Sequence, residues 1–457
     1  MKTIKGVSDM RDVLGRNSTS STTAVIGRRR ARGGFLALCI GSLLVLPGCE
    51  VTNPGPVQDE FLADPAAQPG LVAGSTRRLA ELSTWTTYTT ALLSREIFPG
   101  GQTGAGGHDV LTQGGHVQPG SFGNRFNDAQ QARFIAETAI RRFNDVGAPD
   151  ALLYQAHLWA GYAYRALGEN WCEAVIDGGP LQPGSVYFDG AVENFTQALG
   201  LASSASERNA ALAGRAAAYV WLRDWDAAAA DAEQVPTDFV FWLNLDQTGG
   251  TAYHNWLYFA NANQPYRAYS IWNTFFEDYY TDTGDPRTPW TDDPGEPFAN
   301  AALSGFGQVP WTNQLKYTSR DDDIRLASGW EMLLIRAEAI LEGAVAGADH
   351  NDAMTLINQV RTRNLSDIDE QPLDPWAATS EEEAWTFLKR ERGIELWLEG
   401  RRLGDERRWM EDGTPGDLDT PDWDGITTLF TERERSFCFD IPDSERDSNP
   451  GVPATSG

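Results

Sequence analysis

Small and apolar side chains recur at helical spacing over residues 152–167 (LLYQAHLWAGYAYRAL), 209–222 (NAALAGRAAAYVWL) and 330–342 (WEMLLIRAEAILE). Each run predicts an amphipathic helix. A polar turn follows each, then a second segment: residues 168–174 after the first, an alanine-rich helix up to Val235 after the second, and 351–363 (NDAMTLINQVRTR) after the third. Pro236 stops the second pair. Residues 188–202 (FDGAVENFTQALGLA) predict a further helix, partner to the first hairpin.

The alternation of Ala or Gly with an aromatic or Leu one turn later resembles degenerate tetratricopeptide repeats, in which small residues let paired helices approach closely. The pattern therefore predicts an all-α (mainly α) scaffold of helical hairpins, interrupted by long insertions. Ser380 and Glu383 form a capping-box signature that opens a long helix through Ala384, Phe387, Leu388, Ile394 and Leu398. Glu391, Glu395 and Glu399 share one face of it. Like charges at this spacing repel, so the face is expected to dock onto basic groups elsewhere. Between the hairpins, residues 239–290 hold 15 of the chain's 49 aromatic residues within 52 positions and follow neither a helical nor a strand period. That stretch predicts a loop-rich insert packed on the helices. A second irregular stretch, residues 96–124, is rich in glycine.

Charge and composition narrow the class. The chain has 457 residues, 64 acidic against 37 basic, for a formal charge of -27. Such a surface repels a polyanion, which argues against a nucleic-acid partner, and 41% apolar residues suffice for a large core. Residues 1–48 carry eight basic and two acidic side chains, so the remainder sits at -33. The cluster Arg28-Arg29-Arg30-Ala31-Arg32, an apolar stretch over 35–46 and Leu46-Pro47-Gly48-Cys49 read as a secretion signal. The ending resembles the lipobox of bacterial lipoproteins, which implies lipid attachment at Cys49. Cys172 and Cys438 then remain as a pair, either one disulfide of an exported protein or two small buried thiols.

Several chemistries find no support. The five histidines show no metal-binding spacing, so neither a metal nor a cofactor is expected. The glycine run 100–107 lacks the ending of a phosphate loop, and no nucleophile elbow occurs. Paired carboxylates leave an exported glycoside hydrolase as the alternative function, although abundant acids guarantee pairs by chance. Asp321-Asp322-Asp323 reads as a solvated turn.

A succession of blocks resembles the SusD/RagB family of outer-membrane nutrient-binding lipoproteins. These are Asp285-Pro286-Arg287, Lys316-Tyr317, the run 334–339 with Arg336 and Glu338, and the run 357–363 with Arg361. There follows the block 391–402 with Glu391, Arg392, Glu395, Glu399 and Arg402, continuing to Asp405 and Arg408-Trp409, and finally 441–445 with Asn449-Pro450. The resemblance covers residues from about 150 onward. It implies a signal peptide over 1–48 and a single SusD-like domain over 49–457. Within that domain the helical scaffold would occupy about 130–235 and 325–411, the ligand region about 236–324, and a C-terminal segment 412–457. It further implies internal ion pairs between helices for Glu391, Arg392, Glu395, Glu399 and Arg402. By the same resemblance the protein is no enzyme: it is a surface-exposed, lipid-anchored outer-membrane protein that binds an oligosaccharide or peptide and serves a SusC-like TonB-dependent receptor. Trp85, Tyr88, His254, Asn255, Trp256, Tyr258, Trp290 and Trp311 are the candidates for ligand contact, because a sugar presents a C–H face to aromatic rings and hydroxyls to polar neighbours.

Overall fold

A threonine-rich helix, α1 (Gln68–Leu93), is the first element of a computed structural model that describes residues 64–101, 107–250, 253–261, 266–300, 306–421 and 435–454. Cys49 and the signal segment lie outside the described residues. Along its second half α1 is buried on nearly every side, so no apolar stripe marks it in the sequence. Its hydroxyls bond back to carbonyls one turn earlier: Thr86 to Leu82 at 3.2 Å, Thr90 to Thr86 at 2.8 Å and Ser94 to Thr90 at 2.8 Å. Polar side chains can enter the core because their donors are met within the helix.

After the short strand β1 (Phe98–Pro99) and the single turn α2 (Val110–Gln113), α3 (Gly123–Val146) packs against α1. Next come α4 (Asp150–Asn170), the hairpin β2 (Glu173–Ala174) and β3 (Gln182–Pro183), α5 (Ser185–Leu201), α6 (Ala205–Leu222) and α7 (Trp225–Glu233). Residues 168–174 depart from the expected second helix of a hairpin. The first helix continues to Asn170, and the chain then turns into paired strands with Glu173 opposite Pro183.

From α3 to α7 each helix packs on the next. The small residues act as the pattern predicts. Phe195 of α5 wedges between Gly161 of α4 and Gly214 of α6, and a β-carbon on Gly161 would meet the ring at 2.7 Å. Gly168 receives Phe188 in the same way.

The aromatic insert leaves after α7 through β4 (Val240–Leu243). It contains α8 (Trp256–Asn261), β5 (Tyr269–Ser270), α9 (Phe275–Thr283), β6 (Trp290–Asp292) and β7 (Thr312–Gln314), and returns through β8 (Ile324–Ser328) to α10 (Gly329–Leu341). β4 and β8 pair antiparallel, from Val240 opposite Ser328 to Leu243 opposite Ile324, and close the neck of the insert. The helical stack then resumes, with α10 on α7, followed by α11 (His350–Arg361), α12 (Glu381–Glu395) and α13 (Arg402–Asp412). The fold is mainly helical, and its sheets among the described residues are all two-stranded. The insert is less irregular than the sequence suggests, since α8 and α9 lie within it.

The acidic face of α12 finds its basic partners, mostly from outside the helices. Arg287, in the turn after α9, contacts Glu391 at 2.5 Å and Glu395 at 3.0 Å. Arg325 of β8 reaches Glu395 at 3.0 Å and Glu399 at 2.8 Å, Lys316 holds Glu399 at 2.6 Å, and Arg363 reaches Glu395 at 3.1 Å. α12 stops at Glu395, so Glu399 meets this cluster from the turn beyond it. Arg392 bridges to Asp405 of α13 at 2.9 Å, as an inter-helix pair should. Arg402 instead pairs with Glu406 of its own helix at 3.1 Å, one turn on. Glu338 is bound by Arg408 and by Trp409 Nε1, whereas Arg336 sits near the surface, 3.6 Å from Glu233. Arg361 donates to Tyr279 Oη at 2.7 Å and lies over the Trp376 ring.

Candidate functional site

Where the neck of the insert meets the helices, a cavity of about 630 Å³ opens between α1, α4 and the first turn of α6. Its floor comes from residues that the hairpin pattern places for packing: Tyr154 and Trp159 on α4, with Phe241 of β4 and Tyr253 from the loop after it. Trp159 lies 5.5 Å from Phe241, which in turn stacks on Tyr162 at 5.2 Å. Trp159, Phe241 and Tyr253 are each half-buried, so each is braced on one side and open on another. Arg77 of α1 lies over the Tyr253 ring at 3.9 Å.

Exposed Gln155, Asn244 and Asp246 supply the polar rim. The loop that carries Asn244 and Asp246 is held in place by the acidic run. Asp323 accepts from Asn244 Nδ2 at 2.6 Å and Leu245 N at 2.9 Å, and Asp321 accepts from Gln247 N at 2.7 Å. Asp322 accepts from Ser319 N at 2.9 Å. Asp321 and Asp323 therefore brace the site's loop from an exposed turn, while Asp322 closes that turn itself. Hydrogen bonds from the Thr248 hydroxyl and amide hold the Asp246 carboxyl below its ordinary range, so it is an acceptor at neutral pH. Burial pushes the Tyr154 hydroxyl up, and it donates to Glu207 O at 2.8 Å. A floor of aromatic faces with a rim of fixed acceptors and donors can bind a ligand that has both a flat apolar side and hydroxyls.

The residues singled out from sequence lie elsewhere: Trp85, Tyr88, Trp256, Tyr258 and Trp290 gather in one cluster, and Trp311 packs in another beside Phe98. Tyr88, His254, Asn255, Trp256 and Trp311 are buried, which leaves them no face for a ligand. Trp256 packs at 4.2 Å on Trp85, Asn255 accepts from Tyr258 N at 3.0 Å, and Trp311 Nε1 donates to Asn261 at 2.9 Å. Thr84 of α1 receives Trp256 N at 2.9 Å and itself donates to His254 O, docking the insert on the helix. Burial lowers the His254 imidazole, so it is neutral. Trp85, Tyr258 and Trp290 keep part of their surface. The cavity residues Trp159, Phe241 and Tyr253 escaped the sequence reading: Trp159 looks like a core position on its helix, and the other two are lost among the insert's many aromatics. Cys172 and Cys438 are joined as a disulfide, with Cα atoms 5.5 Å apart.

Comparison with known proteins places this architecture. Residues 306–453 match the model of the SusD family. That segment is similar to the SusD/RagB family. A SusD superfamily protein from Bacteroides thetaiotaomicron superposes with a TM-score of 0.64 at 14% identity, over 85% of this chain and 98% of its own. A SusD-like carbohydrate binding protein from Bacteroides vulgatus gives 0.59 at 15% identity, over 86% and 98%. A laminarin binding SusD-like protein gives 0.52 at 14% identity, over 86% and 99%. At these identities the likeness is one of fold. No curated protein matches the sequence. The SusD family is a non-catalytic glycan-binding family. The matched segment contains the ion pairs of α12 and α13, whereas every residue lining the cavity lies upstream of it.

Proposed function

We propose that the protein is a surface-exposed lipoprotein of the outer membrane, anchored through Cys49, that binds an oligosaccharide and delivers it to a SusC-like TonB-dependent transporter. The observation that carries the binding step is the cavity between α1, α4 and α6, with aromatic faces on its floor and polar side chains on its rim. Its volume suits a short stretch of sugar rings. The carbohydrate binding named for two solved structures of the same fold supports a glycan over a peptide. Acyl chains on Cys49 would hold the protein at the membrane without a spanning segment; no described helix is long and apolar enough to cross one.

Titration of the soluble chain from Glu50 onward against a panel of neutral oligosaccharides and peptides tests this reading. Binding without product release is expected, and Trp159→Ala or Tyr253→Ala should weaken it about three- to tenfold by loss of a stacking face. Trp256→Ala should lower stability and leave the affinity of the folded fraction unchanged. Turnover of the glycan, or preference for peptides alone, would sink the proposal. The part-exposed Trp85, Tyr258 and Trp290 belong in the same alanine panel as candidates for an extended contact surface.

A further inference from the structure

A second, smaller pocket of about 210 Å³ opens beside the disulfide, away from every residue of the glycan cavity. It is walled by Trp171, Phe188 and Trp221, by Gly184 and Ser185 at the start of α5, and by Arg407 with Glu411 at its edge. None of these is a position that the family blocks specify.

Arg407 is the informative residue. Only 8% of it is exposed. Its Nη2 donates to Gly168 O at 2.9 Å, and its guanidinium lies 4.5 Å over the Trp221 ring. Its Nη1 is buried without an acceptor, and the nearest carboxylate, Glu411, is 4.0 Å from Nε. Burial pushes this guanidinium down to about 10. The neighbouring Arg223, by contrast, is satisfied by Asp412 at 2.9 Å.

Two further donors point the same way. Trp171 Nε1 is buried without an acceptor. The N-cap of α5 is Gly184, no side chain caps that end, and its first turn holds no acidic residue. An uncapped helix amino end favours an anion, and a buried guanidinium donor is costly until an oxygen meets it. In a chain of net charge -27 this small, aromatic-walled recess is rich in donors and holds one carboxylate, Glu411, at its edge.

We propose that this pocket binds a small ligand through its carboxylate, held by Arg407 Nη1 and the amino end of α5 while Trp171, Phe188 and Trp221 provide an apolar wall. A uronic acid sugar and a free peptide carboxyl terminus share that chemistry. Calorimetry on the full chain separates them, with glucuronate and N-acetylalanine as probes and glucose and N-acetylalanine amide as their neutral counterparts. One site per chain is expected, occupied by the acids and not by the neutral counterparts. The tighter of the two acids identifies the source. Arg407→Gln should weaken binding about ten- to a hundredfold, as loss of a charge-assisted hydrogen bond implies. Glu411→Gln alters an exposed side chain and keeps the test decisive if the arginine variant fails to fold: removing the competing carboxylate should tighten binding severalfold. Equal affinity for acid and neutral probe, unchanged binding in Arg407→Gln, or unchanged binding in Glu411→Gln overturns the proposal.

Discussion

Glu96 is wholly buried just beyond α1, where its carboxylate accepts from Leu398 N at 2.9 Å and from Ser94 Oγ at 3.0 Å. Burial outweighs these bonds and the nearby Arg402, raising the carboxyl from 4.5 to about 7. The sign follows from linkage: a raised folded-state value favours the protonated form, so the contribution to stability is full below 4.5 and is lost as pH climbs through about 7. Glu395 has the opposite sign. Burial opposes its charge, but Arg325, Arg287 and Arg363 hold it at about 2, so its contribution is full above 4.5 and is lost as pH falls from there through about 2. Glu96→Gln keeps an acceptor for Leu398 N and removes the buried charge. At about pH 8 it should raise unfolding free energy on the order of 1–3 kcal/mol, and at about pH 5 much less. Urea midpoints of both proteins at the two pH values measure this; an equal difference at both would show that Glu96 does not titrate in that window.

At the scale of elements, the hairpins were legible because their small residues and aromatics interlock at a single crossing. Gly161→Ala places a methyl group against the Phe195 ring and should cost about 1–3 kcal/mol through overpacking. Gly200, later on α5, has no atom within 4 Å of an added β-carbon. Gly200→Ala should therefore stabilise by about 0.5–1 kcal/mol through helix propensity alone. Chemical denaturation of the two variants separates crossing-point packing from propensity, and a stabilised Gly161→Ala would refute the interlock. α1 was not legible for a complementary reason: Thr86, Thr90 and Ser94 satisfy themselves along the helix, so polar letters occupy buried positions. The ion cluster was legible in outline, since three glutamates at helical spacing need cations, but Arg287, Lys316, Arg325 and Arg363 stand 29, 9 and 38 residues apart in sequence and meet only in the fold. The binding floor was legible least. The insert's aromatics fill small cores, as Trp256 does with Tyr88 of α1 and Trp311 does with Phe98, while the open faces belong to a helix position, Trp159, and to the neck of the insert. Aromatic density locates packing as readily as it locates a ligand.

Over the whole molecule, the disulfide ties the end of α4 to the C-terminal segment across 266 residues of sequence. The same junction is also held without it. Cys172 N donates to Phe439 O at 3.2 Å, Phe439 N donates to Asn170 O at 2.8 Å, and Phe122 stacks on Phe439 at 4.8 Å. Chain-entropy arguments put the bridge at about 5 kcal/mol for a loop this long, as an upper bound, because the noncovalent contacts limit how far the freed segment separates. Replacing both cysteines with alanine should therefore lower the melting temperature while the protein still folds and the segment still docks. The glycan cavity is built from α1, α4, α6 and the insert, with no residue from the C-terminal segment, so affinity for the oligosaccharide should be unchanged. The carboxylate pocket is lined by Cys172 itself, and glucuronate binding should weaken in the same variant. Melting curves with and without reductant, beside the two titrations, check all three outcomes together. A wild-type protein indifferent to reductant, with two free thiols by mass, would show that the bridge does not form. Loss of both binding activities would show that the C-terminal segment holds the scaffold as a whole and not one corner of it.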